Sequence, residues 1–552
     1  MRRIGSDLVL LLLIICLGVG FSSYWTQVFS PLRDVVDIDL SLWHLPEYTF
    51  YSLSRGLLAY ALSLIFSLLW GFWAAKDRVV EKAVIPILDV LQSIPFLGFL
   101  PGVVLLLVGI FRHNNVGLEL AAILLMFTSQ VWNMAFGVYH SIRTVPAEKS
   151  ECATAYHFSP FQRVRWVELP FTMLSLIWNS IMSVAGGWFF LMINEAYKLG
   201  TRDFRLPGLG SYMSVAASKG DVPAMIHAGV AMILMIVFLD QFLWRPLVVW
   251  SQKFRVEETG PQGLTEAWFL TVVKHSYIIA FFHSLSRRIG GYIQDRRRNV
   301  SFNYFPILSR AALLLLLALL SVALFFAIRL MKDVSLDQWL YLGTMLCLTF
   351  GRVMICVGLS VLIMLPLGLA IGLSDKWNRS LQPIIQVAAS FPATLLFPAL
   401  IVLFKIVGIP LGIGSIILML MGTQWYVLFN VMAGAKAMPS DLKEVAKSFR
   451  FNRAHRFLWL YLPAVFPYLI TGILSAAGGA WNASIVSEYA TYKDQVWMTP
   501  GIGSSISLAA QENDFPLLAA SIAVLVVVVI LLNYQVWLRL YHYSEKRFAL
   551  NG

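Results

Sequence analysis

The 552-residue chain is 58% hydrophobic and only 13% charged, with a mean hydropathy of +0.72. Soluble domains carry about 25% charged residues, so this much apolar surface excludes a water-soluble globular protein and places most of the chain in a bilayer. The net charge of +12 sits in short loops beside apolar runs, the pattern of positive-inside topology rather than of nucleic-acid binding.

Apolar runs fall at about 8–28, 51–75, 83–110, 116–140, 168–193 and 223–248, and again at about 309–330, 343–373, 381–409, 411–436, 463–486 and 515–540. A span needs roughly 20 apolar residues, so these predict an all-α polytopic membrane protein of about twelve transmembrane helices, six in each half. The N-terminal run after Arg2-Arg3 is expected to be a retained span rather than a signal peptide, because no small-x-small cleavage site follows it cleanly. Lys and Arg cluster on one side: Lys76 to Lys82, Arg143 to Arg165, Arg245 to Arg298, Lys376 to Arg379, Lys436 to Arg456 and Arg539 to Arg547. This basic side is expected to face the cytoplasm together with both termini, in an inner membrane. Cys16, Cys152, Cys347 and Cys356 have no metal-like spacing, and packing is their expected role.

The chain states its plan twice. Arg55, Pro86, Pro95 and Pro101 match Arg352, Pro383, Pro392 and Pro398 in one register. Pro146, Glu151, Ala153, Phe158 and Pro170 match Pro439, Glu444, Ala446, Phe451 and Pro463 in another, which continues through Trp188/Trp481, Glu195/Glu488, Pro207-Gly208/Pro500-Gly501 and Asp221/Asp514. Residues 1–250 and 305–552 are therefore two homologous halves, each with an even number of spans, related by a pseudo-two-fold axis along the membrane normal. Between them, 251–304 reads as a basic cytoplasmic linker with aromatic residues, suited to an amphipathic segment on anionic lipid.

The repeated loop has its own structure. Pro146 opens a short helix carrying Glu151 and Ala153, and Ser159-Pro160-Phe161-Gln162 supplies an N-cap, a first-turn proline and a capping-box glutamine for a second. In the second copy, Asn452 takes the place of the cap. A small alanine permits close approach of another surface, and the carboxylate beside it can pair with a basic residue there. Placed twice in a duplicated bundle, such a helix-turn-helix predicts docking of a two-fold partner. The chain contains no phosphate-cradling G-x-x-x-x-G-K-[ST], no metal-ligand cluster and no nucleophile elbow, so no catalytic residues, metal or cofactor are expected in it.

These loops resemble the E-A-A motif of ABC importer permeases (E-A-A, three residues, G, nine residues, I-x-L-P), with the Glu, second Ala and closing Leu-Pro in place. Cys152 and Val445 depart at the first Ala. His157 and Arg450 occupy the Gly position, which predicts that the left-handed turn shifts to the following Phe-Ser or Phe-Asn. Gln92-Ser-Ile-Pro95, Pro207-Gly-Leu-Gly210 and Ile485-Val-Ser-Glu488 look most like the nitrate/sulfonate/taurine/bicarbonate group, here with two permease domains fused. The resemblance implies a membrane transport subunit for a small anion or sulfonate. It implies two cytoplasmic ATP-binding subunits, which bind the ATP and Mg, docked on Glu151, Ala153, His157, Pro170, Glu444, Ala446, Arg450 and Pro463. It also implies a periplasmic or lipid-anchored substrate-binding protein.

A path between the halves is expected to involve Gln130, Trp188, Asn194 and Glu195 of the first half and Gln424, Trp481, Asn482, Ser484 and Glu488 of the second. Glu195 and Glu488 have a competing reading as solvated groups or partners of Lys198 and Lys493. Phe189-Phe190 oppose Asn482-Ala483 in the repeat, so the path is expected to be asymmetric. The alternative is an ion-gradient-driven transporter with parallel six-helix repeats, which needs carboxylates near the midplane; Asp89 is the main one visible in the sequence.

Overall fold

In the computed structural model, residues 2–548 are described apart from 33–35, 94–95, 200–201, 255–266, 278, 280–304, 439–441, 443, 445–447 and 494. Ala446 and most of the linker thus lie outside the described residues, as does the side chain of Asp89.

The first half runs α1 (Arg2–Val28), α2 (Leu45–Lys76), α3 (Arg78–Ser93), α4 (Leu100–Ile110), α5 (Val116–Arg143), α6 (Ala147–Ala155), α7 (Pro160–Arg163), α8 (Leu169–Phe189), α9 (Leu191–Glu195), strands β1 (Ala196–Leu199) and β2 (Arg202–Arg205), α10 (Leu209–Lys219), α11 (Val222–Leu239) and α12 (Arg245–Ser251). The linker contributes α13 (Trp268–His275). The second half repeats the order with α14 (Phe305–Leu330), α15 (Leu336–Gly372), α16 (Asp375–Ser390), α17 (Ala393–Val407), α18 (Leu411–Ala437), α19 (Arg453–His455), α20 (Leu462–Ser487), β3 (Tyr489–Tyr492), β4 (Gln495–Met498), α21 (Ile502–Glu512), α22 (Phe515–Leu532) and α23 (Leu538–Phe548). Each strand pair is a small antiparallel ribbon. The helical hairpins and the β-ribbons lie at opposite ends of α8 and α20, which gives the molecule a basic face and a ribbon face.

Among the described residues, 10 helices are long and apolar enough to cross a membrane. The third segment of each half differs from the single span expected. In the first half it is split into α3 and α4 around a short turn at Phe96–Phe99. In the second, Ser380–Ser390 and Ala393–Val407 meet at 79°. Pro392 lies at that bend, and the preceding Phe391 is extended, as a residue before proline tends to be. Wide π-type turns also recur in both halves, at Val164–Glu168 and Arg456–Tyr461, and at Asp240–Trp244 and Asn533–Trp537.

Small residues set the packing of the bundle. A Cβ added to Gly71 of α2 would come within 2.5 Å of Val138 on α5; at the repeat position, one on Gly368 of α15 would come within 2.7 Å of Val431 on α18. Such glycines let helix backbones approach in a membrane, where van der Waals packing replaces the hydrophobic drive of water. The halves are also tied across the linker. Ser309 of α14 donates to Asp77 at 2.7 Å and accepts from Trp73 Nε1 at 2.8 Å. That hydroxyl pulls the Asp77 carboxyl below the usual carboxylate range. α13 packs against the first half: Phe269 is buried, both its ring and that of Trp268 meet Phe242, and Ser276 just beyond it donates to Asp7 at 2.5 Å.

Candidate functional site

The first helical hairpin is closed by local chemistry. The Ser159 N–H donates to Gln162 Oε1 at 2.8 Å and the Gln162 N–H donates to Ser159 Oγ at 3.3 Å, the capping box read from the sequence. In the second hairpin, Asn452 Oδ1 caps by accepting from the His455 N–H at 2.7 Å. The expected shift of the turn does not occur. His157 and Arg450 both have φ of 50°, so the left-handed residue stays at the motif's glycine position. At His157 the helix before it, Ala147–Ala155, and the cap after it leave only that residue to reverse the chain, and both residues accept the strain of a left-handed conformation.

On this hairpin Glu151 and His157 are exposed and Ala153 is buried at 2% exposure. Glu444 and Arg450 are exposed at the corresponding places. Pro170 and Pro463 open α8 and α20 in their first turns. The exposed rims carry large aromatic side chains: Tyr156, Phe161 and Trp166 on one hairpin, Phe449 and Trp459 on the other. The two hairpins are not equally braced. Glu168, buried at 3% exposure, accepts from Lys76 at 2.5 Å and from Arg163 at 3.1 Å, and Arg163 reaches back to Ser150 at 2.5 Å. Tyr461 occupies the place of Glu168 in the second half.

Near the ribbon face, each half holds a buried Arg–Glu site. Arg55 is wholly buried and donates to Glu119 through two bonds, Nε–Oε2 and Nη2–Oε1, both 2.7 Å, and to Glu195 Oε1 at 2.7 Å. Ser52 and the Gly210 N–H complete the shell of Glu195, each at 2.7 Å, and Tyr24 donates to Glu119 at 2.9 Å. In the second half, Arg352 donates to Glu488 at 2.7 Å and to the Pro500 carbonyl at 2.8 Å, while Thr349 and the Gly503 N–H also serve Glu488. The repeated Pro-Gly-x-Gly segments thus bring the N-termini of α10 and α21 against a carboxylate, where the helix dipole favours negative charge. Gly208 and Gly501 are required there by close approach, since a Cβ on either would collide with the glutamate carboxylate.

This arrangement corrects the reading of Glu195 and Glu488. They are not solvated, and neither lines a cavity wall; each is buried against an arginine of the second helix of its half. Arg55 and Arg352 are accordingly ion-pair partners inside the bundle. Glu119 went unnoticed in the sequence. Its signal is an acidic residue inside the apolar run 116–140, with Gly412 rather than an acidic residue at the repeat position.

Among the described residues, two larger cavities lie between the halves, beside a small one of about 20 Å³ walled by Trp188 and Gln386. The central one, about 230 Å³, is walled by Ser129 and Asn133 of α5, Gly186 and Phe189 of α8, Tyr426 of α18 and Asn482 of α20. Trp481 is also on its wall. The second, about 220 Å³, lies towards the ribbons, between Met192, Tyr197, Thr394, Phe397 and Tyr489. Other residues expected on the path do not line these two larger cavities. Trp188 fills the space over Gly56 on α2, where an added Cβ would collide with its ring. Ser484 is buried and donates to the Trp481 carbonyl at 2.8 Å. Gln130 is buried against Gly187, with Oε1 unpartnered, and Asn194 is buried with both amide atoms unpartnered. Gln424 is half-buried between two wall residues, Thr423 and Trp425, without lining the cavity.

Comparison with known proteins places this geometry in a family. The family of binding-protein-dependent transport system inner membrane components matches twice, over residues 67–243 and 363–549. The chain is 30% identical over 125 residues to a nitrate import permease protein of Leptolyngbya laminosa, covering 23% of this chain and 43% of that protein. It is 27% identical over 154 residues to a bicarbonate transport system permease protein of Synechococcus elongatus, covering 28% and 53%. Its identity to the taurine transport system permease protein of Escherichia coli is 26% over 191 residues, covering 34% and 65%. The chain spans about half the length of the first of these curated relatives. With the family matched once in each half, the chain belongs to the binding-protein-dependent transport system inner membrane components.

Proposed function

We propose that this chain is the transmembrane subunit of an ATP-driven importer, with both permease domains, 1–250 and 305–552, in one polypeptide joined by a basic cytoplasmic linker at 251–304. The observation that carries this reading is the pair of helical hairpins at equivalent places on the basic face. Each presents an exposed glutamate and exposed aromatic side chains, in a sequence with no phosphate-cradling motif of its own. A force-generating partner then has to come from outside, and two similar surfaces suit two ATP-binding subunits carrying the ATP and Mg. Their closure would draw the hairpins together and move α8 and α20, to which the hairpins connect directly, switching access to the central cavity between the two sides.

Under this reading the basic face and both termini are cytoplasmic, in an inner membrane. A periplasmic or lipid-anchored binding protein delivers substrate to the ribbon face. The relatives named for nitrate, bicarbonate and taurine support a small anion or sulfonate as cargo. Ion-gradient coupling is disfavoured by the arginine partners of Glu119, Glu195 and Glu488, which hold these carboxylates in fixed pairs.

The test is to purify tagged full-length chain in mild detergent, identify what accompanies it, and repeat with Glu151→Lys and Glu444→Lys together. Co-purification of a nucleotide-binding protein with ATPase activity, lost in the double variant, is the expected result. A chain that comes alone and shows no ATPase in either form would overturn the motor-coupled reading.

A further inference from the structure

Phe189 lies where the two cavities meet. It walls the central one, while Thr394 and Phe397, which touch it, wall the other. Its ring meets that of the neighbouring Phe190 edge to face, with centroids 4.5 Å apart, and three contacts tie it to the second half. Its ring fills a notch at Gly422 of α18, where an added Cβ would collide with it. It meets Phe397 of α17 edge to face, with centroids 6.4 Å apart. Its carbonyl accepts from Thr394 Oγ1 at 2.5 Å. The repeat gives no second ring, because Asn482 stands at the equivalent position of α20 and faces the central cavity.

We propose that Phe189, seated in the Gly422 notch, is the plug of the path, supplied by one half only, and that it separates the central cavity from the ribbon face. This deepens the transport reading and rests on it. The residues Pro160–Phe189 form one continuous helical rod of 30 residues, with the first hairpin at one end and the plug at the other. Lys76 and Arg163 hold that rod at Glu168. Displacement of the first hairpin therefore moves the ring of Phe189 and displacement of the second, which continues from α18, moves the Gly422 notch, whereas α20 carries only an asparagine at the equivalent place. The passage at the constriction is apolar on one side and amide-lined on the other. This suits a small solute that sheds water on the ring side and meets the polar Asn482 amide, itself tied to the Gly478 carbonyl at 3.2 Å, on the other.

The test uses accessibility in intact membranes, so that it does not depend on identifying the motor subunits. Ser475, on the central cavity wall, is changed to Cys in the full-length chain with Cys16, Cys152, Cys347 and Cys356 replaced by Ser. A membrane-impermeant thiosulfonate is then added from either face. With Phe189 in place, S475C is expected to react from the basic face only. F189A is expected to make it react from the ribbon face as well. G422A, which keeps the ring but removes its notch, is expected to do the same, whereas F189L is not. One-sided labelling retained in both F189A and G422A overturns the plug, as does labelling from both faces with Phe189 intact. Failure of S475C to react from either face would show that the central cavity admits no water, and would sink the transport reading together with its plug.

Discussion

Arg55 grips Glu119 through two parallel hydrogen bonds of 2.7 Å with both side chains buried, and among the described residues no carboxylate does the same for Arg352. Gly412 is what faces Arg352 there; a Cβ on it would stand 3.8 Å from Nη2. The first half therefore sets one cation against two carboxylates, while the second sets one against one and leaves its arginine 12% exposed. Removing one member of a buried ion pair costs about 3–5 kcal/mol, because the other is left charged and unpaired. Arg55→Met strands two carboxylates at once and is expected to lie at the top of that range or above it. Glu488→Gln leaves Arg352 with Thr499 and Pro500 as partners and some access to solvent, so its cost should fall below. Thermal melting of full-length chain in detergent, read as loss of monodisperse protein, orders the two variants. Equal melting points would mean that the asymmetry has no energetic weight.

The left-handed residues of the hairpins are strained without compensation from packing, since His157 and Arg450 are both exposed. A left-handed L-residue costs roughly 1–2 kcal/mol, partly offset by the greater unfolded-state freedom of glycine. His157→Gly and Arg450→Gly should each stabilise their hairpin by up to about 1 kcal/mol, seen as slower proteolysis of that loop. His157→Ala keeps the strain and should give no gain. A stabilising Ala variant would place the cause in the imidazole rather than in the backbone.

The contrast between Glu168 and Tyr461 predicts different responses in the two hairpins. Glu168 joins the end of α2 to the hairpin through Lys76 and Arg163. Charge-assisted hydrogen bonds of this kind contribute about 1.5–3 kcal/mol, discounted here by the partial exposure of both cations. Glu168→Gln should speed tryptic cleavage at Arg163 and Arg165 several-fold while leaving cleavage at Arg450 unchanged. Acceleration at both sites would indicate a global loss of stability instead of a local brace.

Much of this architecture was legible in the sequence because its signals are local. Apolar runs, basic loops, and the Ser159–Gln162 and Asn452 caps each reside in a few neighbouring residues, and the two repeat registers show by direct alignment of such local patterns. Residue preference alone misplaces the turn at His157. The lengths of the flanking helix and cap decide the turning point, and they outweigh a strain of this size. The third segments were read as single spans because hydropathy averages over Pro101, Pro392 and Pro398, although prolines in such a run are themselves a signal of breakage. The Arg–Glu sites could not be read at all. Arg55 and Glu119 are 64 residues apart and Arg55 and Glu195 are 140 apart, so nothing but the packed bundle shows that they meet. Sequence proximity instead pointed Glu195 towards Lys198.

The glycine contacts between helices offer a test of the duplication itself. Gly71 meets Val138 and Gly368 meets Val431 at equivalent positions, with 2.5 and 2.7 Å available to an added Cβ. Both distances are too short for a methyl group, and in each case the obstruction is a β-branched side chain with little rotamer freedom. Gly71→Ala and Gly368→Ala should each destabilise by about 1–3 kcal/mol, the usual cost of overpacking. Val138→Ala should rescue the first in part and Val431→Ala the second in part, because each removes the nearest methyl but keeps a Cβ at 2.7 and 2.9 Å from the added one. Crossed pairs, Gly71→Ala with Val431→Ala or Gly368→Ala with Val138→Ala, should show no rescue, since each relieves the wrong half. Melting of the full-length chain for the two matched and two crossed double variants decides the matter. Rescue in both matched pairs and neither crossed pair is what two independently packed copies of one helix interface require, and rescue in a crossed pair would mean that the halves share their packing strain.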